Sequence, residues 1–145
     1  MAANTTPIFP AAPVSAPVQF LNADGTTVKQ IYAPTLTNGA RVIGITVTNT
    51  DTAAYTFQLF LRKGGVNYLI GSGAVPISAG NTNASQAVNL LQQIDAASAG
   101  ANPFFYDSYG NILFYLDVGS TLFGGVTGTI TSGKQVNLVT FAEEF

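Results

Sequence analysis

The sequence predicts an all-β fold. The expected architecture is an antiparallel β-sandwich, jelly-roll or immunoglobulin-like, with an extended N-terminal arm and at most one short helix. Three observations carry this. About eight short runs alternate apolar and polar residues with period two and are rich in Val, Ile, Thr, Phe and Tyr. Turn-forming pairs such as Asp24-Gly25, Asn38-Gly39, Gly64-Gly65 and Ser132-Gly133 punctuate them. A helical spacing of apolar residues occurs in one place, Ala87, Leu90, Leu91 and Ile94. Both sandwich topologies fit, because strand order is not written in a single sequence.

Residues 1–24 form the expected arm and residues 25–145 the expected sandwich domain. Pro7, Pro10, Pro13 and Pro17 forbid a helix and favour extended geometry. Ile8, Phe9, Val14, Val18 and Phe20 lie among them, and large apolar groups suit a partner-binding arm, lying on a neighbouring subunit, better than a bare linker. Thr27 to Tyr32 reads as a first strand, ended by Pro34. The centre of the chain is Gly39 to Arg62. Ile43, Ile45 and Val47 precede the polar turn Asn49-Thr50-Asp51-Thr52, and Tyr55, Phe57, Leu59 and Leu61 follow it. A hairpin about Asp51 sets Val47 opposite Tyr55, Ile45 opposite Phe57 and Ile43 opposite Leu59, all on one face. Gly64-Gly65 suits a two-residue primed turn that pairs Leu61 with Tyr68 and Leu59 with Ile70.

Val75-Pro76-Ile77 reads as a bend or an edge segment, since proline donates nothing to a ladder. Ser85 and Asp95 bound the helical spacing, with a strand through Val88 and Leu90 as the alternative. Asp107-Ser108-Tyr109-Gly110 is a type I turn. In the strand after it, Ile112, Phe114, Leu116 and Val118 alternate with Leu113, Tyr115 and Asp117, so large residues occupy both faces. That pattern means burial on both sides, either inside the domain or against a partner, and makes Leu113 and Tyr115 the candidate subunit-interface residues. Thr121 to Ile130 and Gln135 to Phe141 read as a final hairpin, with Gly124, Gly125 and Gly128 marking a bend or close backbone approach.

Composition excludes several chemistries. The chain has no Cys, His or Trp, which removes disulfides, thiolate and imidazole metal sites, and Cys–His or Ser–His–Asp catalysis. Charged residues make up 8%, against roughly 25% in ordinary domains, so the polar surface is built from Thr, Asn, Gln and Ser. Such a surface suits packing against neighbours. The net charge is −2 and the five basic residues are scattered, so no basic footprint for nucleic acid is present. No apolar run reaches the ~18 residues of a membrane span, and the N-terminus lacks the basic and apolar regions of a signal peptide.

Asp95, Asp107 and Asp117 are the acids available for paired-carboxylate glycosidase chemistry, but each is explained more simply by a helix end, a turn and a strand end. Asn49, Asp51 and the Asn81/Asn83 loop are too sparse for calcium. Tyr106, Tyr109 and Tyr115 offer rings for sugar stacking, or more simply core and interface packing. No catalytic residue, metal site or cofactor is expected.

Five segments in order, GARVIGITVTNTDTAAYTFQLFLRKGG, VPISAG, VNLL, DSYGNILFYLDVGSTL and SGKQVNLVTFAEEF, resemble small virion proteins of tailed bacteriophages, in particular head decoration (cement) proteins. The resemblance spans about residues 27 to 145 and rests on strands and turns. It implies a β-sandwich subunit, a homotrimer, bound to the major capsid protein on the surface of the phage head after synthesis in the host cytoplasm. On this reading the arm residues Ile8, Phe9, Val14, Val18 and Phe20 bind the capsid or a neighbouring subunit. It implies no membrane or nucleic-acid partner and carries over no catalytic residue. Two alternatives remain: a tail, neck or fibre component, and a carbohydrate-binding sandwich.

Overall fold

A computed structural model of the chain describes residues 9–97 and 104–145. Its strands are β1 (Ala12–Leu21), β2 (Lys29–Tyr32), β3 (Ala40–Asn49), β4 (Tyr55–Lys63), β5 (Val66–Val75) and β6 (Val88–Asn89), followed by α1 (Leu90–Ala97). Then come β7 (Phe105–Tyr106), β8 (Ile112–Leu116), β9 (Thr121–Val126) and β10 (Gln135–Glu144). One sheet runs β1-β10-β3-β8-β7, with β6 also on β3, and the other runs β2-β9-β4-β5. The protein is an antiparallel β-sandwich. Setting aside the two-residue strands β6 and β7, the eight long strands lie in the order first-eighth-third-sixth and second-seventh-fourth-fifth. That wrapped order is a jelly roll, which decides between the two expected topologies.

Wrapping overturns two expected hairpins. β3 and β4 are not paired; they belong to different sheets, and residues 50–54 carry the chain across the core. The same holds for β9 and β10. The shared parity was real, but it has a different cause. Ile45 and Val47 meet the core from one sheet, and Tyr55, Phe57 and Leu59 meet it from the other. Ile43 does not join them. A bulge against Phe141 and Ala142 turns Ile43 outward and puts Val42 into the core.

The β4–β5 hairpin forms as expected. Gly64 and Gly65 both have positive φ, and Leu61 pairs with Tyr68. A bulge at Ile70 then shifts the register, so Leu59 faces Gly71 rather than Ile70. β5 is an edge strand that continues to Val75 and stops before Pro76. The helix forms, but it starts at Leu90, leaves Ala87 outside and runs past Asp95 to Ala97; the strand is confined to Val88–Asn89, so the alternative strand does not reach Leu90. α1 rests on β5 where Gly71 and Gly73 stand, and a Cβ at either would collide with Ile94 or Leu90. Gly124 has the same role beneath the ring of Phe57, which confirms the expected close approach.

The expected division at residue 24 does not separate an arm from the sandwich. Residues 12–21 are extended, but they pair along their whole length with β10. Pro13 and Pro17 are tolerated because β1 is an edge strand. Phe20 is fully buried and packs edge-to-face on Phe57 at 5.3 Å.

Phe57→Ala is expected to destabilise by about 3–5 kcal/mol, the range for a buried Phe. Gln58→Ala, on the outer face of the same strand, should cost less than about 1 kcal/mol. Urea melts giving equal losses would refute the face assignment. Thr140 carries the one buried side-chain polar atom without a hydrogen-bond partner among the described residues. Thr140→Val should therefore raise stability by about 1 kcal/mol, read from the same melts.

Candidate interaction surface

Each of the three candidate acids is hydrogen-bonded within the chain. Asp95 accepts from the Tyr106 hydroxyl (2.6 Å). Asp107 accepts from the backbone of Tyr109 and Asn111 inside its turn. Asp117 pairs with Lys63 and accepts from Ser120. No two of them share a donor in these bonds. Among the described residues there is no group of three or more acids positioned to hold a metal ion. No helix among them is long and apolar enough to cross a membrane.

Two carboxylates are buried, Asp51 and Glu144. Asp51 accepts from the Tyr55 hydroxyl (2.5 Å) and from the backbone N–H groups of Thr52 (2.7 Å) and Thr131 (2.9 Å). The Tyr55 bond, aided by the backbone donors, outweighs burial and holds this carboxyl well below the usual range. Its oxygens face N–H and O–H donors, which suits an anion and not a calcium ligand. Glu144 accepts from Tyr32 (2.8 Å), from the hydroxyl (2.6 Å) and N–H (3.0 Å) of Thr35, and from the N–H of Leu36 (3.2 Å). Burial pushes its pKa up, but these bonds together hold it below the ordinary glutamate value. Burial, with Glu144 beside it, raises the Tyr32 phenol.

The expected interface residues separate. Leu113 is buried by its own chain (8% exposed), so it is not a contact residue, whereas Tyr115 is 59% exposed. Glu143, Arg41 and Tyr115 stand side by side across three strands of the outer face. The Glu143 carboxylate, with a smaller contribution from Tyr115, keeps Arg41 firmly charged. Of the expected arm anchors, Ile8 lies outside the described residues and Phe9 is 75% exposed. Val14 and Val18 are half-buried against their own core and line a cleft of ≈ 530 Å³ between β1 and β2. Phe20 is a core residue. Val14, Val18 and Phe20 therefore belong to the sandwich and are not anchors of a separate arm.

The apolar opening lies on the other flank. β7 pairs only with Ile112 and Leu113, so it gives the outer edge of Phe114–Leu116 no strand neighbour. Facing it is β5, the last strand of the second sheet, of which α1 meets the Gly71–Gly73 half. Between them lies a groove of ≈ 410 Å³ walled by Leu61, Tyr68, Ile70, Phe114, Tyr115 and Leu116, with no charged residue in its lining. Tyr68 and Leu69 are each more than half exposed there. The sequence marked Tyr115 and placed Leu61, Tyr68 and Ile70 on the shared apolar face; Leu61 and Ile70 do pack against the core, whereas Tyr68 is more than half exposed.

No protein-family model matches the chain, and no curated protein matches it in sequence. Among solved structures it is similar to a chain of the virus-like particle of the extra small virus of the giant freshwater prawn Macrobrachium rosenbergii. The TM-score is 0.30 and the identity 10%, over 99% of this chain and 87% of that one. A likeness of that size says nothing about function.

Asp51 titrates lower in the folded chain than the ~3.9 of an unfolded aspartate, so its stabilisation is present above that value and fades as pH falls below it. Asp51→Asn is expected to lose about 1–3 kcal/mol at pH 7. The gap to the parent should narrow at pH 3. Denaturant melts at the two pH values read this directly, and an unchanged gap would mean that shape rather than charge holds the corner.

Proposed function

We propose that this chain is a non-enzymatic structural protein of a virion. The specific reading is a head decoration protein of a tailed bacteriophage, bound as a homotrimer to the major capsid protein on the assembled lattice. The observation that carries it is the open apolar groove at Tyr68 and Tyr115 on a chain most of whose charged side chains are engaged internally. A groove of that kind, beside over-half-exposed Tyr68, Leu69 and Tyr115, suits a protein that works in contact with others. The five segments that resemble decoration proteins support the same reading, as does the jelly roll, a fold used in viral capsids and elsewhere. Of the expected arm, Phe9 and Ile8 remain as partner-binding residues. The carbohydrate-binding alternative is favoured by one observation, the 89% exposure of Tyr109. Glycan binding that disappears in Tyr109→Ala would establish it.

Light scattering of the purified protein should give a trimer, and a monomer at tens of micromolar would count against this reading. Added to expanded heads lacking it, the protein should bind and raise their resistance to heat, because a ligand of the assembled state stabilises that state. Absence from heads together with binding to purified tails would replace the decoration role with a tail role.

A further inference from the structure

The start of β1 and the apolar groove are neighbours. Pro10 lines a cleft of ≈ 440 Å³ together with Asn38, Arg41, Tyr115 and Phe145. Tyr115 is also a wall of the groove. Pro10, just before β1, therefore lies beside the groove mouth. Residues 1–9, fully extended, span roughly 30 Å. Residues 1–11 carry no charged side chain, and neither does the groove lining. Pro7 and Pro10 bracket Ile8 and Phe9 and hold down the freedom such a segment loses on docking. The groove lies between two strand edges, an arrangement that accepts an extended peptide. Yet Phe9 is 75% exposed, so its own chain does not bury it.

We propose that the groove walled by Leu61, Tyr68, Ile70, Phe114, Tyr115 and Leu116 receives the N-terminal segment of a second copy of this chain, with Phe9 and Ile8 as its apolar anchors. Each copy then carries an exposed anchor in Phe9 and an open groove to receive it. Such a contact runs head to tail, and closed rings are its finite product. The inference rests on the reading of the protein as a homo-oligomer and supplies the contact that builds it. Docking in cis would instead leave a monomer with Phe9 covered.

The test uses full-length variants. Phe9→Asp removes the anchor, Tyr68→Asp spoils the receptor, and Tyr109→Asp, outside the groove, is the control. Circular dichroism melts establish that each is folded; Tyr115→Asp replaces Tyr68→Asp if that variant does not fold. Light scattering should show the parent and Tyr109→Asp as oligomers, and Phe9→Asp and Tyr68→Asp as monomers, with at least a tenfold loss in association constant. Mixing the two monomeric variants should restore a two-chain complex, because one contributes an intact anchor and the other an intact groove. Oligomers that survive both substitutions would overturn the groove assignment while leaving the oligomer reading intact. A monomeric parent whose melting temperature falls in Phe9→Asp would overturn it in favour of docking in cis. Head binding is scored separately, so loss of the decoration reading alone would appear as intact oligomers that do not bind heads.

Discussion

The carboxylate of Asp51 is the point at which the two sheets are held in register. A jelly roll changes sheet at most of its connections, and at each change the backbone leaves its ladder with N–H groups that need acceptors. Asp51 supplies them for two crossovers at once. It accepts from the N–H of Thr52 in the β3–β4 connection and of Thr131 in the β9–β10 connection, and from the hydroxyl of Tyr55 at the start of β4. Asn49 completes the corner: its side chain donates to the carbonyls of Ala53 and Pro76 and accepts from the N–H of Asp51. At the other end of β3, Glu144 does the same for the β2–β3 connection through Thr35 and Leu36. No cation sits on either carboxylate in these bonds. Each is stabilised by neutral donors, so the acid form is disfavoured and acid weakens each corner.

This arrangement explains which parts of the fold were legible in the sequence. Period two located the strands, because it reports that one face is buried. It did not report which strand lies alongside. Ile45 and Phe57 share a parity whether they are hairpin partners or stand on opposite walls of one core, and a polar turn serves both cases. The bulge that exchanges Val42 for Ile43 depends on β10, nearly a hundred residues away in the chain, so no local pattern announces it. The prolines of β1 pointed correctly to an extended segment and wrongly to a separate one. Proline is excluded from central strands, not from edges. Tyr115 was legible as an outward residue. The groove beside it was not, because its existence depends on where β7 stops pairing and where α1 stops covering β5, and both are matters of tertiary packing.

The charges of the chain set the character of any association. Lys29, Arg41 and Lys63 are paired with Asp24, Glu143 and Asp117, and Arg62 stacks on Phe123 at 4.6 Å. All seven acids accept hydrogen bonds or ion pairs from within the chain. The surface therefore offers an approaching partner little unpaired charge, and long-range steering contributes little to encounter. Recognition falls instead to apolar contact in shaped places, which is insensitive to ionic strength and short in range. Such contacts are individually weak and gain strength when several are made at once, because each binding event after the first is intramolecular. A charge-poor jelly roll with an open apolar groove and exposed apolar side chains such as Phe9 is thus better suited to apolar contact than to the capture of a single charged ligand.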